Sequence, residues 1–292
     1  MRGPFRQAIA VRDQDGKIVL KTEELHFIKD RYPILGWPLI RGVVNFGGSM
    51  VAGVKALMYS ASFYPEEEEA QPSKFEQWLG RHISSEKLES LVIYLAVLMG
   101  ILFSVGLFML LPTFLVGLVR PIHDNYLLRN LCEGLVKIVI FTGYMAAISK
   151  LPDMRRVFSY HGAEHKTIKC YEMGLPLTVE NVRPCTRFHP RCGTSFLFVV
   201  IIISILVGSV IQVGNTLLRM FCHLLLLFPV VAISYEFNRL VGRHDNAFTR
   251  ALTAPCMWFQ KFTTNEPDDS MIQCAIAAME EVIPEQEGAD DW

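Results

Sequence analysis

The sequence predicts a mainly α-helical, polytopic membrane protein with about four transmembrane helices, an N-terminal amphipathic or re-entrant helix and a small N-terminal β-hairpin. Three observations predict it. Hydrophobic residues make up 51% of the chain and the mean hydropathy is +0.29, high for a water-soluble domain. Apolar runs at residues 91–118, 131–148, 195–213 and 220–236 each have the length needed to cross a bilayer. Lysine and arginine are distributed unevenly among the connecting segments, as membrane topology requires.

Residues 1–33 read as a cytoplasmic hairpin segment. Ala8-Ile9-Ala10-Val11 and Ile18-Val19-Leu20 flank a turn containing Asp15-Gly16, and Asp-Gly between apolar runs favours a tight hairpin. Residues 34–61 are apolar and glycine-rich. Arg41, Asn45 and Lys55 interrupt them and Pro38 breaks any helix near its start, so an amphipathic or re-entrant helix fits better than a clean span. Residues 62–90 form a polar linker, with the acidic run at 66–69 read as a solvated stretch.

Transmembrane helices 1 and 2 fall within 91–149. The first carries no charge across 91–118, and Pro112 predicts a kink. The second carries Glu133 and Lys137, spaced and ordered for an ion pair on one helix face; either they lie at membrane depth and turn toward the protein interior, or they sit near the interface and snorkel. Residues 150–193 are a polar motif segment. Helices 3 and 4 fall within 194–238, with Pro229 interrupting the fourth and His223 read as a core histidine with a partner. The C-terminal segment, 239–292, holds an aromatic stretch at 258–264 suited to a membrane interface. A helix from about 271 to 282 follows, with Asp269 or Ser270 as N-cap and Ile272, Ala275, Ile276 and Met279 as its packing stripe. An acidic tail closes the chain at 280–291.

With 28 Lys and Arg against 29 Asp and Glu, the net charge gives no general electrostatic case for nucleic acid. Residues 1–90 hold twelve of the cations, 150–193 eight and 238–292 four, while the connections at 119–130 and 214–219 carry only Arg120, Arg129 and Arg219. Positive segments stay inside, which places both termini and 150–193 in the cytoplasm. No apolar signal region occurs in residues 1–31, so the first internal span directs insertion. Seven irregularly spaced cysteines argue against a disulfide framework. Glycines at 36, 42, 47, 48 and 53 permit close helix packing and suggest a homo-oligomer.

The chemistry concentrates in the 150–193 segment. His161 and His165 lie one helical turn apart, the spacing with which two imidazoles share a metal, and Glu164 completes His-x-x-Glu-His, the inverted zincin pattern. Glu164 is then the general base. Glu172, His189, Cys192 and Glu236 are the candidates for the third ligand. The His and carboxylate mix fits a divalent metal, zinc first, with manganese and iron also compatible. Arg191 or Arg183 would stabilise developing negative charge. The same side chains could instead make a hydrogen-bonded polar core. The enzymatic reading is a metal-dependent membrane hydrolase acting from the cytoplasmic face on a lipid-linked molecule or membrane peptide, with membrane lipid as its surroundings. Two rivals are a transporter, channel or lipid-moving protein, suggested by Glu133, Lys137, Pro112 and Pro229, and a non-catalytic oligomeric membrane scaffold, suggested by the glycines.

Met1-Arg2-Gly3-Pro4, Tyr160-His161-Gly162-Ala163-Glu164-His165-Lys166, Val182-Arg183, His189-Pro190-Arg191-Cys192-Gly193-Thr194-Ser195-Phe196, Ser234-Tyr235-Glu236 and Thr263-Thr264-x-Glu266-Pro267-Asp268-Asp269 together resemble the DUF1385 (YqhQ-like) family. The resemblance runs over nearly the whole chain. It implies a metal-dependent enzyme of the bacterial cytoplasmic (inner) membrane, with relatives in plastids. The family's Pro-Gly-x-Trp-x-Gln stands here as Pro255-Cys256-Met257-Trp258-Phe259-Gln260, and the missing glycine removes the support for a tight turn.

Overall fold

A computed structural model describes residues 1–26, 31–63, 85–119, 125–190, 192–210, 212–243 and 246–285. The acidic run at 66–69, most of the 62–90 linker, Arg191 and the end of the acidic tail lie outside the described residues.

The hairpin is present. Strands β1 (Arg6–Arg12) and β2 (Ile18–Glu24) pair antiparallel with Ala8 opposite Thr22. Their turn needs Gly16, whose φ of +80° lies in the left-handed region. The Asp13 carboxylate accepts a 2.8 Å hydrogen bond from the Lys17 N–H and closes that turn. A 3-10 turn at Pro33–Gly36 leads to α1 (Ile40–Ala61), which starts two residues after Pro38. It packs against the last helix of the membrane set through Gly42, where a Cβ would strike Tyr235 and Ala232. Met50, Val51, Leu57 and Met58 on α1 remain exposed.

Next come α2 (Ser85–Val105), a π-helical turn at Gly106–Leu110 and α3 (Leu111–Gly117), continuous enough to form one apolar rod at Leu95–Gly117. The π turn lies just ahead of Pro112, which has no N–H to continue the α ladder. Helix α4 (Tyr126–Ile148) is capped by Asn125, whose side chain accepts from the Leu128 N–H. Then follow α5 (Pro152–Glu172), the short α6 (Val179–Val182), α7 (Gly193–Gly208), α8 (Thr216–Leu225), α9 (Leu227–Gly242), α10 (Ala247–Thr263) and α11 (Asp269–Glu280).

The architecture is mainly helical with one two-stranded sheet, but its candidate spans are fewer than the four expected. Among the described residues only Leu95–Gly117 and α4 are long and apolar enough to cross a membrane by themselves, and α8 with α9 makes a third if the bent pair counts as one. The third expected span shortens to the 16 residues of α7, a rise of only about 24 Å. The fourth is bent by 45° between α8 and α9. Pro229 explains the bend, because it cannot donate to the carbonyl of Leu225.

Three packed layers position the polar segment. Ala163, Cys170, Val182, Cys185, Ile272 and Ala275 join α5, α6 and α11. Ala8, Ala278 and Val282 fix the hairpin to the other side of α11. Phe141, Met145, Phe158 and Phe259 join the end of α4 to α5 and α10, with Phe141 stacked on Phe259 at 5.0 Å.

Local expectations shift in three places. The N-cap of α11 is Asp268, which accepts from the Met271 N–H at 3.0 Å, rather than Asp269 or Ser270. Pro255 lies inside α10, so the altered family motif is helical with Cys256 buried. Glu133 and Lys137 do not pair. Glu133 is taken instead by Arg219 at 2.7 Å, Arg129 at 3.3 Å and His223 at 3.2 Å, because Arg219 and His223 reach it from the neighbouring α8 and Arg129 sits one turn before it on α4.

Candidate metal centre

Helix α5 puts His161 and His165 on one face, with ring centroids 4.4 Å apart. The chain then passes through α6 and a loop before Cys192 enters beside them, its sulfur 3.2 Å from His161 Nε2. The ligand atoms of His161, His165 and Cys192 all lie within 4.8 Å of one another. His165 and Cys192 are buried and His161 is nearly so.

Each imidazole is oriented from behind. His161 Nδ1–H donates to the Thr263 carbonyl at 2.8 Å, and His165 Nδ1–H donates to the Arg187 carbonyl at 2.6 Å. A carbonyl can only accept, so both Nδ1 atoms carry a proton, and each Nε2 is left to face the space shared with the sulfur, where it can bind a metal once unprotonated. That is the second-shell arrangement characteristic of metal-ligating histidines.

Other expected residues fall into an adjacent layer or outside the site. His189 donates to Glu172 at 3.0 Å through Nε2, and its ring lies 5.8 Å from that of His165. The pair therefore braces the trio without joining it. Glu236 is not brought in: it accepts from Arg41 through both Nε and Nη2, and from the Leu39 N–H at 3.2 Å. Glu164 is half-buried, makes no hydrogen bond or ion pair among the described residues, and acts on His161 through its charge. Arg183 is held at the surface by Asp269 at 2.7 Å.

Burial opposes charge on both Cys192 and His161. Hydrogen bonds and charge from His161 and His165 nevertheless bring the Cys192 thiol down to about 5. The Cys192 sulfur, with the Thr263 carbonyl and Glu164 charge, brings His161 up to about 9. A thiolate with two neutral imidazole nitrogens is a donor set suited to zinc.

Several supporting residues escaped the sequence reading. Gln260 is fully buried and clamps the His189 backbone, accepting its N–H at 2.9 Å and donating to its carbonyl at 2.7 Å. Lys166 donates to the Arg183 carbonyl at 2.9 Å and pairs with Glu266 at 2.7 Å. Gly162 is required by packing, since a Cβ there would collide with the Asn265 carbonyl oxygen. The only advance signal for these residues was their presence in the longer motif strings.

The chain matches the family described as "Protein of unknown function (DUF1385)" over residues 37–285. It belongs to the DUF1385 family. It is also 34% identical over 290 residues to "Uncharacterized protein YqhQ" of Bacillus subtilis (strain 168), covering 96% of this chain and 88% of that protein. No solved structure matches the chain. The DUF1385 match includes the whole trio and its supports, from His161 to Gln260 and Glu266.

Proposed function

We propose that this DUF1385 protein is a membrane-bound, metal-dependent hydrolase whose ligands are His161, His165 and Cys192. The observation that carries the reading is the commitment of both Nδ1 atoms to backbone carbonyls, which leaves two Nε2 atoms beside the Cys192 sulfur for a metal to take. Of the four candidate third ligands, Cys192 is the one this reading selects. A divalent metal held by His161, His165 and Cys192, zinc by its donor set, would supply the Lewis acidity that ionises water near pH 7. Glu164 is the unpaired carboxylate beside the trio and is the group placed to take up a proton. The site sits next to the apolar helices, which favours a lipid-linked molecule or membrane peptide as substrate. Gly47, Gly48 and Gly53 face open space on α1, leaving a surface where a second copy could pack closely. The charge distribution favours the bacterial cytoplasmic membrane with both termini inside.

Elemental analysis of the purified protein tests the metal. The wild type should carry about one zinc-like ion per chain, and the His161→Ala, His165→Ala double variant close to none. Glu164→Gln should keep the metal but lose in vivo function. A wild type that stays metal-free after zinc reconstitution overturns the reading.

A further inference from the structure

Helix α1 carries an apolar stripe that the fold leaves bare. Met50, Val51, Val54, Leu57 and Met58 share one face by their helical spacing, and each is at least 38% exposed. A contiguous apolar face of this kind marks a docking surface.

The opposite face is occupied, and its contacts fix where the helix lies. In the first half, Arg41 pairs with Glu236, Asn45 donates to the Tyr235 hydroxyl at 2.8 Å, and Phe46 meets Phe196 at 5.4 Å. Phe196 stands one turn beyond Cys192, at the metal-centre end of α7. In the last turn of α1, Lys21 lies over the Tyr59 ring at 4.9 Å, and just beyond it Gln14 donates to the Phe63 carbonyl at 3.3 Å. Lys21 and Gln14 belong to the hairpin, which packs on α11 and through α11 on α5. Both halves of a 22-residue helix, about 33 Å long, are therefore tied to the metal-centre side of the apolar helices. A helix tied in this way cannot cross; it runs along the surface. Its composition agrees. It is not among the helices apolar enough to span, and it carries no acidic residue. Exposed Lys55 flanks the stripe four residues on from Val51, where an ammonium can reach anionic headgroups.

We propose that α1 lies in the plane of the leaflet on the metal-centre side, with its stripe seated at the boundary between headgroups and acyl chains. Through Phe46 and Phe196 it then holds the Cys192 turn at headgroup depth. The proposal rests on α4 crossing the bilayer and not on the metal. Gly48 and Gly53 lie on the flanks of the stripe, so a second copy meeting α1 there leaves the stripe to lipid.

The test uses the full chain in vesicles of phosphatidylcholine and phosphatidylglycerol, spin-labelled at Val51→Cys or Met58→Cys, both at exposed positions. Wild type labelled in parallel corrects for the native cysteines. Both labels should collide with dissolved oxygen more often than with a water-soluble nickel chelate. Both should report the same depth, about 5–10 Å into the headgroup and acyl boundary. The positions are seven residues apart, so a crossing helix would separate their depths by about 10 Å. That separation, or equal depths near the bilayer centre, overturns the proposal. Preferential access of the nickel chelate also overturns it, because the stripe then faces water. Spin–spin broadening that disappears on dilution with unlabelled protein gives the stripe to a second copy and overturns it as well.

Discussion

In the metal-free protein Cys192 and His161 form a thiolate–imidazolium pair whose two titrations have opposite signs. The Cys192 pKa is depressed from its ordinary 9.0, so its contribution to stability is full above that value and is lost as pH falls through about 5. The His161 pKa is raised from its ordinary 6.5, so its contribution is full below that value and is lost as pH rises through about 9. The stability difference between metal-free wild type and Cys192→Ser should therefore be largest between about 6.5 and about 9 and shrink on both sides. Thermal unfolding across that range measures it, and a flat difference would refute the pair. The approach of His161 and His165 was legible because residues four apart on a helix share one face. Cys192 stood as one of four candidates because it lies 31 residues from His161, and no spacing rule says where a loop returns. Glu236 looked equally plausible until Arg41, 195 residues away in sequence, took both its oxygens.

At the scale of elements, the site depends on how α10 meets α5 and the loop before α7. Gln260 on α10 satisfies both backbone groups of His189, and His189 in turn holds the loop three residues before Cys192. Gln260→Ala leaves a buried N–H and a buried carbonyl unpaired. The expected cost is about 2–6 kcal/mol, at roughly 1–3 kcal/mol for each of the two orphaned groups. Denaturant unfolding should show that loss, and metal content should fall with it because Cys192 is no longer fixed. Normal stability with full metal content would show that the clamp is dispensable. The hairpin and the C-terminal helix were legible because turn chemistry and amphipathic spacing are local signals. The clamp was not, because a glutamine in an aromatic stretch gives no sign that its amide will be spent on a backbone segment 71 residues away.

At the scale of the whole molecule, the contacts constrain how often the chain crosses. Thr263 and Gln260 touch His161 and His189, so α10 ends on the same side of the apolar layer as α5, next to the Ile148 end of α4. The other end of α4 meets the turn after α7: Asn130 donates to the Ser209 carbonyl at 2.9 Å, and Arg129 to the Gly214 carbonyl at 3.2 Å. Between these ends Gly134 lies against Ile205 and Phe141 packs with Phe198. Helix α7 therefore runs antiparallel along α4, and α8 with α9 brings the chain back. If α4 crosses the membrane, α7 must cross it too, although its length alone does not qualify. Asn130 then satisfies a carbonyl at the end of α7, so a rise of about 24 Å suffices where a lone helix would need the full hydrophobic thickness. For a chain whose α4 spans the bilayer, this packing predicts four crossings, with residues 150–193 and the C-terminal segment on one side. Cysteines introduced at Asp153 and at Gln212, both exposed, read this out in intact cells with a membrane-impermeant thiol reagent. Gln212→Cys should label above the wild-type background before lysis, and Asp153→Cys only after it. Labelling of both positions before lysis, or of neither, would mean that α7 does not cross.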